Sequence, residues 1–423
     1  MKVIRLKHLL KGNFGGVWGD DLDCNENSYT YILRSTEQNE NGNWVINWES
    51  VARRNLLRVT NFHTLKKNDI VITKSSGSAG HIGKATLVDE NIEKLHCSFS
   101  NFMQCLQLDA GKCNPRFYWY YLNSRHCKEQ YKISCTTSTG LLNLNSDTFN
   151  NLNVPFFSVE YQNQCVAFLD KTISKIEDAI EKHKIQLDFL SSYRQSLITR
   201  AVTKGLDPNV DCMKKVPFKR FIISRNGGMW GSEPGSAEVD ALCIRVADFD
   251  YANLKTRPTA STMRSISEKQ LQNNQLRDGD ILLEKSGGGE KTPVGRAVYY
   301  SGCERAICSN FIERLTINRQ MLNPKFACYV LSSAYSQRKN FDCIKQTTGI
   351  QNLSVDDYLS SVTVPLFDLE TQQRITNWLD KQLSKVAQVI TANQAQLMKL
   401  TAYRQSLISY AVTGQLAIDE AEE

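Results

Sequence analysis

The sequence holds no apolar run of the roughly 20 residues that a membrane-spanning helix needs. Its opening, MKVIRLKHLLKGN, lacks the apolar core of a secretion signal. Thirteen cysteines are present, but the number is odd and no two show CxxC spacing. That speaks against a disulfide framework and against a cysteine zinc site, and the expectation is reduced thiols in a cytoplasmic protein. Histidine is scarce: all six fall within the first 183 residues. A duplicated histidine-based catalytic or metal site is therefore excluded. There is no glycine-rich motif for a methyl donor, no zincin pair of histidines and no outstanding pair of carboxylates. No metal and no cofactor of the chain's own is expected.

What is present is a repeat. Residues 154–206 return without a gap at 364–416, and 24 of the 53 aligned positions are identical. Such self-similarity precedes every other reading. In the first copy Leu169, Ile173, Ile176, Ile180, Leu187, Leu190, Leu197 and Ala201 fall on alternating spacings of four and three. Leu379, Leu383, Val386, Ile390, Leu397, Leu400, Leu407 and Ala411 do the same in the second. That is the seam of a coiled coil. Two seam positions are polar in both copies, His183 with Asn393 and Arg194 with Arg404. Polar seam residues cost stability and fix alignment. The expectation is that the helices pair antiparallel and that His183 meets Asn393.

The segments between the helices repeat more loosely. GGVWG (15–19) matches GGMWG (227–231), and LKKNDIVITKSSG (65–77) matches LRDGDILLEKSGG (276–288). SNF recurs at 100–102 and 309–311, NPRFYWYYL (114–122) matches NPKFACYVL (323–331), and STGLLNLNSD (138–147) matches TTGIQNLSVD (347–356). The predicted architecture is α+β: two tandem mixed α/β domains at 1–152 and 207–362, two long helices at 153–206 and 363–416, and a disordered tail at 417–423. DIVIT (69–73) and KATLV (84–88) read as strands, and RFYWYYLNSRHCKEQY (116–131) as one amphipathic helix after Pro115. Between matched landmarks the domains differ widely. A shared scaffold carries two different surfaces.

Of the net charge of +7, each domain holds +4, and the two helical stretches hold +1 and −2. Excess positive charge on the domains permits a polyanionic partner without demanding one. GSAGHIGKAT (77–86) looks like a phosphate-binding loop, but Gly77 is one place too far from the GK pair and Ala85 sits where a hydroxyl is required. The functional alternative is a glycine-rich loop that brings Lys74, Ser75, Ser76, Ser78, Lys285, Ser286, Gly287, Lys291 and Arg296 near phosphates or base edges; the bland one is a flexible connection between strands. Trp18 and Trp230, flanked by glycines, are either core residues at a tight turn or ligand contacts. Thr139, Gly140, Thr348 and Gly349 are either turns or groups near a DNA backbone. YRQSLI, identical at 193–198 and 403–408, suggests a contact made twice. Helix packing accounts for Leu197 and Leu407 there, and less well for Arg194 and Arg404.

Taken together, the tandem repeats with LDK…YRQSLI…AVTKGL and then YRQSLI…AVTGQL resemble the specificity subunits of Type I restriction–modification systems. The resemblance covers the whole chain. Its most specific parts are the helix ends and the approach through Thr348, Gly349, Leu353, Val364 and Pro365, kept in the first copy with Leu144 and Pro155. It implies two target-recognition domains, each reading half of a split sequence in double-stranded DNA, with an antiparallel helical spacer between them. It further implies two methylation subunits, which carry the catalysis and S-adenosylmethionine, and, where present, restriction subunits that use ATP and Mg. The chain itself would be non-catalytic. A helix of about 45 residues is roughly 68 Å long, enough to act as a ruler for half-sites lying about 34–36 Å apart per DNA turn. The competing readings are a self-contained methyltransferase or nuclease, which lacks its motifs, and a coiled-coil scaffold binding proteins only, which leaves the glycine-looped domains unexplained.

Overall fold

The computed structural model describes residues 2–22, 29–59, 61–78, 80–138, 141–207, 214–302, 305–347 and 349–417. The first long helix runs Val159–Lys204 and the second Leu369–Val412. Gly205, at φ +74°, and Gly414, at φ +70°, follow their ends in the left-handed conformation that glycine adopts without strain. The chain divides into two compact units, residues 1–182 with 396–423, and residues 183–395. Each unit therefore holds one globule, the first part of the long helix that follows it and the last part of the other long helix.

In the first unit, Leu10–Gly15, Met103–Leu108, Ile70–Thr73 and Ala85–Leu87 form an antiparallel sheet in that spatial order, with Val71 opposite Cys105 and Thr86. A second sheet holds Ala52–Arg54, Thr30–Leu33 and Ser98–Phe99. A third joins Thr136–Ser138, Leu141–Asn143 and Ser75–Ser76. Lys2–Arg5 pairs with Asn153–Phe156, which closes the globule where its helix departs. DIVIT does form an inner strand, apolar on both faces because both are covered, and KATLV forms the edge strand beside it. The stretch 116–131 departs from expectation. It forms two helices, Pro115–Leu122 and Arg125–Ser134. Asn123 ends the first helix with helical backbone angles and bonds the Ala85 carbonyl through its side chain; the chain turns extended at Ser124, which caps the next helix through Cys127 N. Nor is its first half amphipathic: Phe117, Tyr118, Trp119, Tyr120 and Tyr121 are all buried.

The second unit repeats the plan. Ile222–Gly227, Ile312–Ile317, Ile281–Glu284 and Ala297–Tyr299 lie in that order, extended by Lys255–Thr256 and Phe249–Asp250. Met263–Ile266, Val239–Ile244 and Ala306–Cys308 make the second sheet, and Ser286–Gly287, Ile350–Leu353 and Ile344–Thr347 the third. Lys215–Pro217 pairs with Thr363–Pro365. Here the buried helix is single, Pro324–Ser336.

Helix seams are built inside each unit. In the first, Tyr161 donates to the Ala411 carbonyl at 3.0 Å and Arg404 bonds Glu177 at 3.0 Å, so the segments run in opposite directions. Leu169, Ile173 and Ile176 share one core with Leu407, Ile408 and Ala411. In the second, Ile198, Ala201 and Val202 share a core with Ile375, Leu379 and Leu383. His183 Nδ1 and Asn393 Oδ1 lie 2.6 Å apart, the polar meeting expected from the seam.

The fastening of globule to helix is duplicated as well. Asn114 N donates to Gln162 at 2.8 Å, and Asn323 N to Gln372 at 2.7 Å. Tyr120 and Tyr329 each donate to an aspartate of the repeated LDK string, Asp170 and Asp380, at 2.6 Å. Arg116 pairs with Asp170 at 2.8 Å and Lys325 with Asp380 at 2.7 Å. Burial beside these carboxylates pushes both tyrosine hydroxyls well above the usual phenol range.

Candidate nucleic-acid interface

The GGxWG loops are held by their backbones. A methyl group on Gly16 would lie 2.0 Å from the Ser100 carbonyl oxygen, and one on Gly228 2.1 Å from that of Ser309. Only glycine allows that approach. Val17 N then donates to the Phe99 carbonyl at 2.9 Å and Met229 N to that of Cys308 at 2.8 Å. Gly19 and Gly231 turn the chain at φ +72° and +73°. The result is a tryptophan brought to the surface rather than into the core: Trp18 is half-buried and Trp230 is 39% exposed.

Each ring is covered by an arginine. The Arg54 guanidinium stands 4.5 Å from the Trp18 ring and Arg264 4.2 Å from Trp230. Acidic partners hold them in place, Asp21 for Arg54 and Glu233 for Arg264. In both copies the arginine Nε is buried and lacks a hydrogen-bond partner among the described residues. Neither arginine was picked out by sequence, because both lie where the domains no longer align.

The SNF segment links this loop to the lysine loop. Lys74 N and Ser75 N donate to the Phe102 carbonyl at 2.9 and 3.2 Å; Lys285 N and Ser286 N donate to that of Phe311 at the same distances. Ser75 and Ser286 reach the third sheet, bonding Asn143 at 2.5 Å and Asn352 at 2.6 Å. The third-sheet strands Leu141–Asn143 and Ile350–Leu353 and the KS dipeptides are thereby brought together in both copies. Lys74 Nζ donates to Gln104 at 3.1 Å, and burial lowers its pKa below the usual lysine range. Lys285 instead meets the Glu313 carboxylate at 2.8 Å.

The remaining sequence candidates divide. Ser76 is half-buried and its hydroxyl accepts from Ser78 N at 3.1 Å, while Ser78 and Lys291 are exposed. Gly287 and Gly349 take φ +111° and +83°, Gly349 in the turn of the third-sheet hairpin. Thr139, Gly140 and Thr348 lie outside the described residues. Arg296 is committed inward: it pairs with buried Glu284 at 3.1 Å and lies 3.7 Å from the Tyr251 ring. Lys84, the lysine of the phosphate-loop look-alike, is likewise buried on the carbonyls of Ser35 and Gln38. Of the identical seam arginines, Arg404 pairs with Glu177, whereas Arg194 donates to the carbonyls of Tyr251 and Ala252 at 3.2 and 2.5 Å. Ala387 stands where the repeat has Glu177, and Arg194 bonds backbone instead, with the Asp250 carboxylate nearby.

On this common frame the side chains diverge. Tyr31 faces Arg53 across the second sheet, one step beyond the Thr30–Arg54 pair. At the corresponding step Leu242 faces Met263. Arg53 lies 5.2 Å from the Tyr29 ring, whereas Met263 is simply exposed. The cation–aromatic groups that both copies keep, and the neighbouring positions that they do not, define a duplicated recognition protein with one frame and two surfaces.

Residues 1–187 match the family model described as the Type I restriction modification DNA specificity domain. The specificity subunit of the Type I restriction enzyme EcoKI from Escherichia coli is 20% identical over 360 residues, covering 83% of this chain and 75% of that one. The MjaVIII specificity subunit from Methanocaldococcus jannaschii is 19% identical over 377 residues, covering 86% and 82%. A chain from a structural study of complex assembly and conformational transition of the type I R-M system superposes with a TM-score of 0.73, at 17% identity and 98% coverage of both chains. The crystal structure of the HsdS subunit from Thermoanaerobacter tengcongensis gives 0.52, at 16% identity, covering 98% of this chain and 97% of that one. Residues 1–187 thus carry the Type I specificity domain, and most of the chain is similar in sequence and fold to specificity subunits of Type I restriction–modification systems. Among the described residues no helix is long and apolar enough to cross a membrane.

Proposed function

We propose that each globule reads one half of a split target in double-stranded DNA. The paired helices set the spacing between the halves and dock two methylation subunits. The chain is non-catalytic on this reading; S-adenosylmethionine, ATP and Mg belong to the methylation subunits and, where present, the restriction subunits.

One observation carries the reading. The tryptophan–arginine pair and the lysine anchored by its backbone on SNF recur in both copies, while the adjoining side chains differ. Contacts to phosphate and sugar are the same wherever the protein sits, and contacts to base edges are not. A protein reading two unlike half-sites from one frame would keep the first set and vary the second.

The test is binding of fluorescent duplexes by the chain assembled with its methylation subunits, across a salt series. Affinity should fall linearly in log–log form as phosphate contacts release counterions. Salt-insensitive association, or none, would leave a scaffold that binds proteins only.

A further inference from the structure

Phe102 and Phe311 are 48% and 42% exposed. Each sits on a tight turn, closed by Met103 N to Ser100 O and by Ile312 N to Ser309 O, both at 2.9 Å. Their carbonyls hold the lysine loops, as described above. That task needs only a backbone carbonyl, which any residue supplies. The turn does not need the ring, and the core does not use it.

A single exposed phenylalanine calls for no explanation. Here the same ring is kept outward twice, in globules whose surrounding surfaces have diverged. Folding does not require it, and accident does not repeat it at a matched position. What the two copies share outside their cores is what they bind. The carbonyl of each phenylalanine accepts a lysine main-chain N–H, and the adjoining loop carries an exposed or half-exposed tryptophan under an arginine. Aromatic faces next to cations suit bases stacked beside phosphates.

We propose that Phe102 and Phe311 each wedge against a base step of duplex DNA, one in each half-site, with Lys74 and Lys285 on the adjoining phosphates. Apolar wedges of this kind partly unstack a step without reading its sequence. The contact is common to both halves and blind to their difference. This inference rests on the DNA-reading function proposed above.

The experiment uses the full chain assembled with its methylation subunits. The probes are duplexes carrying a site mapped by modified-base sequencing, with 2-aminopurine placed in turn at each step. Bound wild type should raise the fluorescence at one step in each half. Phe102→Ala should remove the signal from one half, Phe311→Ala from the other, and each should weaken binding roughly ten- to hundred-fold. Phe→Trp at either position should retain both. If an alanine variant also lowers the thermal midpoint, Phe102→Gln and Phe311→Gln decide: loss of signal in a folded complex supports the wedge, and retained signal overturns it. Undiminished binding and fluorescence in the double alanine variant overturns the wedge and leaves the DNA reading intact. Failure of the wild-type assembly to bind any duplex overturns that reading itself.

Discussion

Lys74 and Lys285 occupy matched places and differ in one neighbour, an amide for the first and a carboxylate for the second. Glu313 also pairs with Arg225 at 3.0 Å, so it is shared between two cations. Among the described residues Lys74 has no opposing charge, and burial disfavours its ammonium. An uncompensated ammonium gains more from a phosphate than one already neutralised. Lys74→Ala should therefore reduce the slope of log affinity against log salt by about 0.9, the value of one phosphate contact. Lys285→Ala should change it less; equal changes, measured by anisotropy, would contradict the argument. Arg296 makes the opposite case. Its partner Glu284 is almost wholly buried, and burial raises its pKa above the usual carboxylate value despite the guanidinium. Arg296→Met should cost about 3 kcal/mol at neutral pH, the penalty of a buried charge left alone. Glu284 then prefers the protonated form still more strongly in the folded protein. The protonated group is tolerated at low pH, and that tolerance is lost as pH rises through its folded pKa. The deficit against wild type should thus shrink toward about pH 4.3, and urea melts across pH would show it. Sequence could single out Lys74 and Lys285 because a repeated KS after a strand is visible. It could not tell Lys285 from Arg296, since which cation faces inward depends on Glu284 and Tyr251, remote in sequence. Phe102 and Phe311 lay inside a noted repeat, but exposure cannot be read from SNF alone.

The long helices were the most legible elements, because a seam of eight apolar positions repeated in register admits few alternatives. The antiparallel meeting of His183 and Asn393 also followed from their matched positions. What sequence could not supply was the asymmetry of the seam arginines, set by Glu177 in one copy and Ala387 in the other. The helix break at Ser124 was hidden too, because the Asn123 side chain beside it is held by a carbonyl 38 residues away. Within the seam, Asn393 is buried and its Nδ2 lacks a partner. Such a pair is retained for alignment at a cost in stability. Asn393→Leu alone should destabilise by about 1–2 kcal/mol, since it strands the His183 ring nitrogen. His183→Leu with Asn393→Leu should recover that loss and raise the melting temperature above wild type. The same double variant should methylate its mapped site less efficiently, because the seam can then slip. A double variant less stable than the single one would show that the pair stabilises rather than aligns.

At the scale of the whole molecule, duplication is the organising fact. Two globules share sheets, joints and an aromatic–cation patch, and differ in side chains such as Tyr31 with Arg53 against Leu242 with Met263. Fold class was readable because landmarks recur at nearly constant spacing. The surfaces were not, because loop side chains are placed by tertiary contacts rather than by local pattern. The division of labour has a direct consequence: each globule should determine its own half of the target and nothing of the other. Modified-base sequencing of a host expressing the chain with its methylation subunits tests this. A second strain would carry residues 1–152 exchanged for those of a relative with a different target. The account predicts a split methylated sequence in which one half changes with the exchange while the other half and the spacing stay fixed. Methylation at one continuous site, or an exchange that alters both halves together, would contradict it.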